Sequence, residues 1–74
     1  MKRDLPKLLA LAEERVAASE ACLHKQREVI ETLRRSGHDT TRADTLQGAF
    51  KLVQAQFIAS RDRLREDLEQ IATR

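Results

Sequence analysis

The sequence predicts an all-α fold: an antiparallel two-helix hairpin that dimerises into a four-helix bundle. Three observations carry this. The 74 residues include only two Gly and one Pro, so long stretches contain no helix breaker. Apolar residues recur at spacings of three and four in both halves of the chain, the period of an amphipathic helix. The strongest turn signal, Ser36-Gly37-His38-Asp39-Thr40-Thr41, falls at the midpoint. Residues 1–74 therefore read as one hairpin, with a helix over about 5–36, a turn at 37–40 and a helix over about 41–72.

The first helix is expected to start at Asp4, whose side chain can cap, with Leu5 and Pro6 in the first turn. Pro is tolerated there because those N–H groups have no intrahelical acceptor. Gly37 is expected at C′, where a left-handed residue closes a helix without a Cβ clash. Arg34 and Arg35 then sit at the negative end of the helix dipole. Leu33 would be C3, with His38 at C″ to cover it. Asp39, Thr40 and Thr41 follow with side-chain oxygens for the orphan N–H groups of the next helix. Both Asp39 and Thr41 are candidate N-caps, the latter with Asp44 in an approximate capping box. Each helix spans roughly 48 Å at about 1.5 Å per residue, and equal lengths joined by a short turn imply antiparallel neighbours.

Two seams follow from the periodicity. In the first helix Leu9, Ala12, Val16, Ser19, Leu23, Gln26, Ile30 and Leu33 form one line, widened by Leu8, Cys22 and Val29. In the second, Ala43, Leu46, Phe50, Val53, Phe57, Ser60, Leu64, Asp67 and Ile71 form another, flanked by Ala49 and Leu68. Closing the hairpin sets Ile30 against Leu46 and Leu23 against Val53. Both stripes are wider than a two-stranded coiled coil needs. A lone hairpin buries too little apolar area to offset an ordering entropy of about 1.5 kcal/mol per residue. Cys22 is the sole cysteine, so no internal disulfide staples it. A homodimer is therefore expected, assembled through Leu9, Val16, Leu23, Ile30, Leu33, Leu46, Phe50, Val53, Phe57, Leu64 and Leu68. Gly48 is expected on the outer face of the second helix.

Composition excludes several classes. Two Phe and no Trp or Tyr do not furnish an all-β fold. No run of about 20 apolar residues spans a bilayer. The apolar segment after Met1-Lys2-Arg3 is short and ends at Glu13-Glu14, so it does not read as a signal peptide. The expected compartment is the cytoplasm. No Gly-rich phosphate loop, HExxH, GxSxG or CxxC occurs, and no catalytic residue, cofactor or metal is expected. Glu20 and His24, four apart, read as a solvated pair rather than as metal ligands. Cys22 and His24 are two apart and point to different sides of a helix. His38 beside Asp39 reads as turn chemistry.

The pI is near 9.1 but the formal net charge is only +2. Opposite charges interleave as Arg27–Glu31, Glu31–Arg35, Arg63–Asp67 and Arg65–Glu69, four apart on helix faces. Lys2, Arg3 and Lys7 would approach Arg61, Arg63 and Arg65 at the end opposite the turn. That makes a small candidate anion patch, and accessory nucleic-acid binding is the lesser alternative.

The turn region resembles small bacterial helical-hairpin proteins of the alphaproteobacterial type. Their pattern I-x-x-L-x-x-x-G-x-D-T-x-x-A-x-x-L falls here on Ile30, Leu33, Gly37, Asp39, Thr40, Ala43 and Leu46. The resemblance covers about half the chain and departs at Gln47, where a second Leu is common. It implies a free-standing hairpin and transfers no activity. The expected function is a non-enzymatic, self-associating module that binds or regulates another protein.

Overall fold

Asp4 caps the first helix by accepting a hydrogen bond from the Lys7 amide at 3.2 Å, which satisfies one N–H that the first turn leaves without a partner. In a computed structural model describing residues 4–73, two helices follow, α1 over Leu5–Arg35 and α2 over Thr41–Ala72. No strand occurs among the described residues. The chain is a helical hairpin.

The turn is held by backbone and side-chain bonds together. Gly37 has φ +78°. Its N–H donates to the Arg34 carbonyl at 3.1 Å and the His38 N–H donates to the Leu33 carbonyl at 2.9 Å. These two bonds form the Schellman closure that a left-handed C′ residue permits. Thr40 occupies the N-cap of α2 and makes no side-chain cap bond. Neither expected N-cap residue holds that position, because both act one step removed. Asp39 Oδ1 accepts from the Thr41 N–H at 2.9 Å and from the Thr41 hydroxyl at 2.6 Å, an Asx-type turn. Thr41, the second candidate, opens the helix as its first residue. The Thr41 hydroxyl, and then its N–H, hold the Asp39 carboxyl below the usual carboxylate range. Thr40 donates from its hydroxyl to Asp44 at 2.9 Å, and Arg34 reaches the same carboxylate at 3.7 Å. Asp44 thus ties the last turn of α1 to the first turn of α2.

The two glycines respond oppositely to a methyl group. Both have open space around an added Cβ, but only Gly37 has a positive φ. Gly37→Ala is expected to cost about 1–2 kcal/mol through the left-handed backbone. Gly48→Ala, on the exposed mid-region of α2, is expected to gain about 1 kcal/mol of helix propensity. Thermal melts of the two variants should move in opposite directions.

Along α1, Ala12, Val16, Ser19, Leu23 and Ile30 are buried, and Leu9, Gln26 and Leu33 are half-buried. The Ser19 hydroxyl donates to the Val16 carbonyl at 2.7 Å, which satisfies a polar group inside the seam. Helix α2 carries no fully buried residue. Its half-buried line runs Ala43, Gln47, Phe50, Gln54, Phe57, Arg61, Leu64 and Leu68, with Ile58 and Asp67 at the edges. This corrects the sequence expectation. Leu46, Val53 and Ser60 are exposed, so they do not close layers against α1. Helix α2 keeps Phe50, Phe57 and Leu64 in contact but turns the Gln47–Gln54–Arg61 column inward. These side chains have apolar stems that cover α1 while their polar ends stay near water.

The pairing is fixed at both ends of the hairpin. Arg34 meets Asp44 near the turn, and Arg65 meets Glu13 at 3.8 Å near the opposite end. The result is a thin rod of 58 × 21 × 15 Å with a radius of gyration of 17.1 Å. A compact chain of this length would have a radius of gyration of roughly 11 Å.

Candidate protein-interaction surface

The two long sides of the rod differ in chemistry. One side near the turn is polar, a groove of about 370 Å³ lined by His24, Arg27, Glu28, Glu31, Arg34, Asp44 and Gln47, with Ile30 at its floor. His24 Nε2 lies 3.0 Å from Glu28, so His24 pairs forward along the helix with Glu28. Arg35 pairs with Glu31 at 3.7 Å. The other side carries an apolar groove of about 240 Å³, lined by Cys22, Lys25, Gln26, Val29, Ile30, Ala43 and Leu46.

The apolar groove is part of a longer strip. On α1 the positions Leu8, Leu11, Arg15, Ala18, Cys22 and Val29 follow the three-and-four spacing that keeps residues on one side. On α2, Leu46, Ala49, Val53, Ser60, Asp67 and Ile71 do the same. Leu8, Leu11, Val29, Leu46, Val53 and Ile71 all count among the large exposed apolar residues, from 38% exposed at Leu8 to 63% at Leu46. Singly exposed apolar residues are ordinary. Six of them aligned on one side of both helices, interrupted by Arg15, Ser60 and Asp67, make a candidate docking face. Leu52, 70% exposed, lies on the outer side of α2 and belongs to neither groove.

The surface area leads the same way. The chain exposes 6200 Å², whereas a compact protein of this mass exposes roughly 4,700 Å². The excess is of the size that a standard protein–protein interface removes from water, about 1,200–2,000 Å² in total. Inside the apolar groove, Gln26 Oε1 is buried with no hydrogen-bond partner. Such an atom costs free energy until a donor reaches it.

The expected assembly residues therefore divide between two places. Val16, Leu23 and Ile30 are buried within the hairpin, and Leu9, Leu33, Phe50, Phe57, Leu64 and Leu68 are half-buried at its seam. Leu46 and Val53 lie on the exposed strip, together with Leu8, Leu11, Val29 and Ile71. The strip's membership was recoverable from the three-and-four spacing, but Leu11 stood outside both expected seams. Phe57, only half-buried in one chain, is less committed to the hairpin core than the sequence suggests.

Of the basic residues described, Arg61 and Arg65 share a face of α2 and Arg63 lies apart from them. Arg61 lies in the seam with its side chain 23% exposed and holds Asp62 at 3.1 Å. Arg65 is paired with Glu13. Arg63 is two residues from each of them and points away. Lys2 and Arg3 lie outside the described residues, and Lys7 is exposed. No group of three or more His, Cys, Asp or Glu residues is placed to hold a metal ion among the described residues. No described helix is long and apolar enough to cross a membrane. Cys22 is a half-buried free thiol in the apolar groove.

Fold and surface together define an all-helical hairpin with one apolar long side. No protein-family model, curated protein or solved structure matches the chain.

Proposed function

We propose that this chain is a non-enzymatic, self-associating helical module that acts by binding or regulating another protein, with two hairpins packed into a four-helix bundle. The observation that carries the reading is the uncovered apolar strip. Among the described residues of one chain, only Ala12, Val16, Leu23 and Ile30 are buried apolar residues. That core is small against the entropy of ordering two helices of 31 and 32 residues, about 1–2 kcal/mol of backbone entropy per residue. A second copy supplies the missing burial, and helical hairpins joined this way form four-helix bundles.

Accessory nucleic-acid binding is the weaker reading. Arg61 and Arg65 already have carboxylate partners, and the formal net charge of +2 is small. Phosphate contacts draw their affinity from uncompensated cations that release counterions.

Sedimentation equilibrium and circular dichroism over a concentration series test the reading. A mass of two chains at micromolar concentration is expected, with helicity falling as dilution dissociates the assembly. A monomeric mass with full helicity would overturn it.

A further inference from the structure

We propose that the apolar strip docks an acidic amphipathic helix of another protein, which lies along the trough between α1 and α2 with Asp and Glu on both its flanks. This rests on the reading of the strip as an interaction face and names the chemistry of the partner. The charges bordering the strip carry it.

Each helix has two flanks beside the line it turns to the other. On the flank next to the strip, α1 carries Arg15 and Lys25 and α2 carries Arg42 and Arg63, all exposed. Lys25 also lines the apolar groove. None of these cations makes an ion pair within the chain among the described residues. Asp67, one turn beyond Arg63, is the single acidic residue of the two helices on that flank. Glu13, Glu20, Glu31, Asp44, Asp62 and Glu69 lie on the opposite flank, where Glu13 holds Arg65 and Asp44 holds Arg34. The formal net charge of +2 therefore hides a sorted distribution, with a cationic frame around the apolar side.

The frame discriminates between occupants. A second copy brings the same cations to the contact, so apolar burial there works against repulsion. An acidic helix meets the frame with opposite charge, and such complementarity selects partners and speeds their encounter. The same face thus accepts a second copy and yields it to an acidic helix. The pairs Arg34–Asp44 and Glu13–Arg65 set the register of the hairpin, and by it Arg63 is level with Arg15 and Arg42 with Ser36. The frame spans about 21 residues, roughly 32 Å at 1.5 Å per residue, the length of a helix of about six turns. The apolar groove of about 240 Å³ between the helices receives the ridge of such a helix. A lipid surface fits less well. Phe50 and Phe57 are half-buried in the seam and the chain has no Trp or Tyr, so no aromatic side chain stands at the rim to anchor in headgroups. A bilayer would also draw Asp67 toward hydrocarbon, whereas a protein helix answers one carboxylate with one cation.

The probe is a synthetic helix of about 22 residues, cross-linked between side chains because an isolated helix of that length is marginal in water. It carries a leucine stripe with Glu at every flanking position, and a twin carries Lys instead. Binding to the full chain is read by fluorescence anisotropy, and the mass of the chain by sedimentation in the same solutions. The Glu helix is expected to bind at least about tenfold more tightly than its twin. That advantage should vanish toward about 1 M salt, where the screening length falls to roughly 3 Å. The Glu helix should also displace the second copy, leaving one chain in the complex. Exchanging two exposed cations, Arg15→Glu with Arg63→Glu, should invert the preference while helix content by circular dichroism holds. Equal binding of the twins overturns the proposal. So does a complex that retains two chains, because the helix then sits on another face. Tighter binding to phosphatidylserine vesicles than to the Glu helix gives the face to lipid and overturns it as well. A chain that is monomeric on its own yet binds the Glu helix overturns self-association and leaves this proposal standing.

Discussion

Leu23→Ala is expected to remove about 2–5 kcal/mol of folding stability, the cost of deleting a fully buried leucine side chain. Leu23 is the most enclosed large side chain among the described residues, 2% exposed. It sits midway along α1, one heptad from Val16 and one from Ile30, both buried. Ser19, one turn away in that line, has its hydroxyl bonded to the Val16 carbonyl, and the truncation leaves a cavity in the seam. A 74-residue chain at typical stability per residue holds roughly 4–11 kcal/mol in all. The substitution thus removes a large share, and the melting midpoint should fall by at least about 10 °C. Leu11→Ala is the contrast within the same helix: Leu11 is 43% exposed within one chain, and its loss should lower the midpoint by less than Leu23→Ala does. Equal melting curves for the two variants would place Leu23 outside the core. Phe57→Ala, at a half-buried site, should fall short of the roughly 3–5 kcal/mol of a fully enclosed phenylalanine unless a second chain encloses the ring.

The contrast between the two helices explains what the residues reveal unaided. On α1 the line Ala12–Val16–Ser19–Leu23–Ile30 is bounded by charged neighbours such as Glu13, Arg27 and Glu31. One face is clearly the most apolar, and that face is buried. The turn was equally legible, because a single glycine between Arg34-Arg35 and Asp39-Thr40-Thr41 leaves one way to close a helix and start another. On α2 the Phe50–Phe57–Leu64 column has an apolar neighbour on one side, Leu46 and Val53, and a mixed neighbour on the other, Gln47, Gln54 and Arg61. Hydropathy favours the first as the inner face. Helix α2 is turned so that Gln47, Gln54 and Arg61 approach α1, and the exposed pairs Arg34–Asp44 and Glu13–Arg65, worth about 0–1 kcal/mol each, accompany that rotation without driving it. It then leaves the more apolar column uncovered. Periodicity reports that a residue is apolar and which neighbours share its side. It does not report which of two adjacent partners that side meets. The wide stripe on α2 is two narrower faces, one toward α1 and one outward, and only the folded pair of helices separates them.

That separation gives adjacent residues opposite fates. Leu52 and Val53 are sequence neighbours, both apolar and both exposed, 70% and 41% respectively. Successive helix residues are turned about 100° apart, so Val53 belongs to the strip with Leu46 while Leu52 looks outward from α2. Val53→Asp is expected to weaken self-association by about tenfold or more, since each dimer would draw two carboxylates into an apolar contact. Leu52→Asp should leave the association constant unchanged within about twofold, as exposed surface substitutions do. Acid sharpens the comparison. A carboxyl driven into an apolar contact binds its proton more tightly there than in water. Association of the Val53→Asp protein should therefore recover as pH falls toward the ordinary aspartate value of about 3.9. The Leu52→Asp protein, titrated alongside, accounts for every other carboxylate in the chain. Sedimentation of the two variants across pH reads both effects at once. If Val53→Asp associates as tightly as Leu52→Asp at neutral pH, the strip is bare in the assembly and the bundle is built through another side.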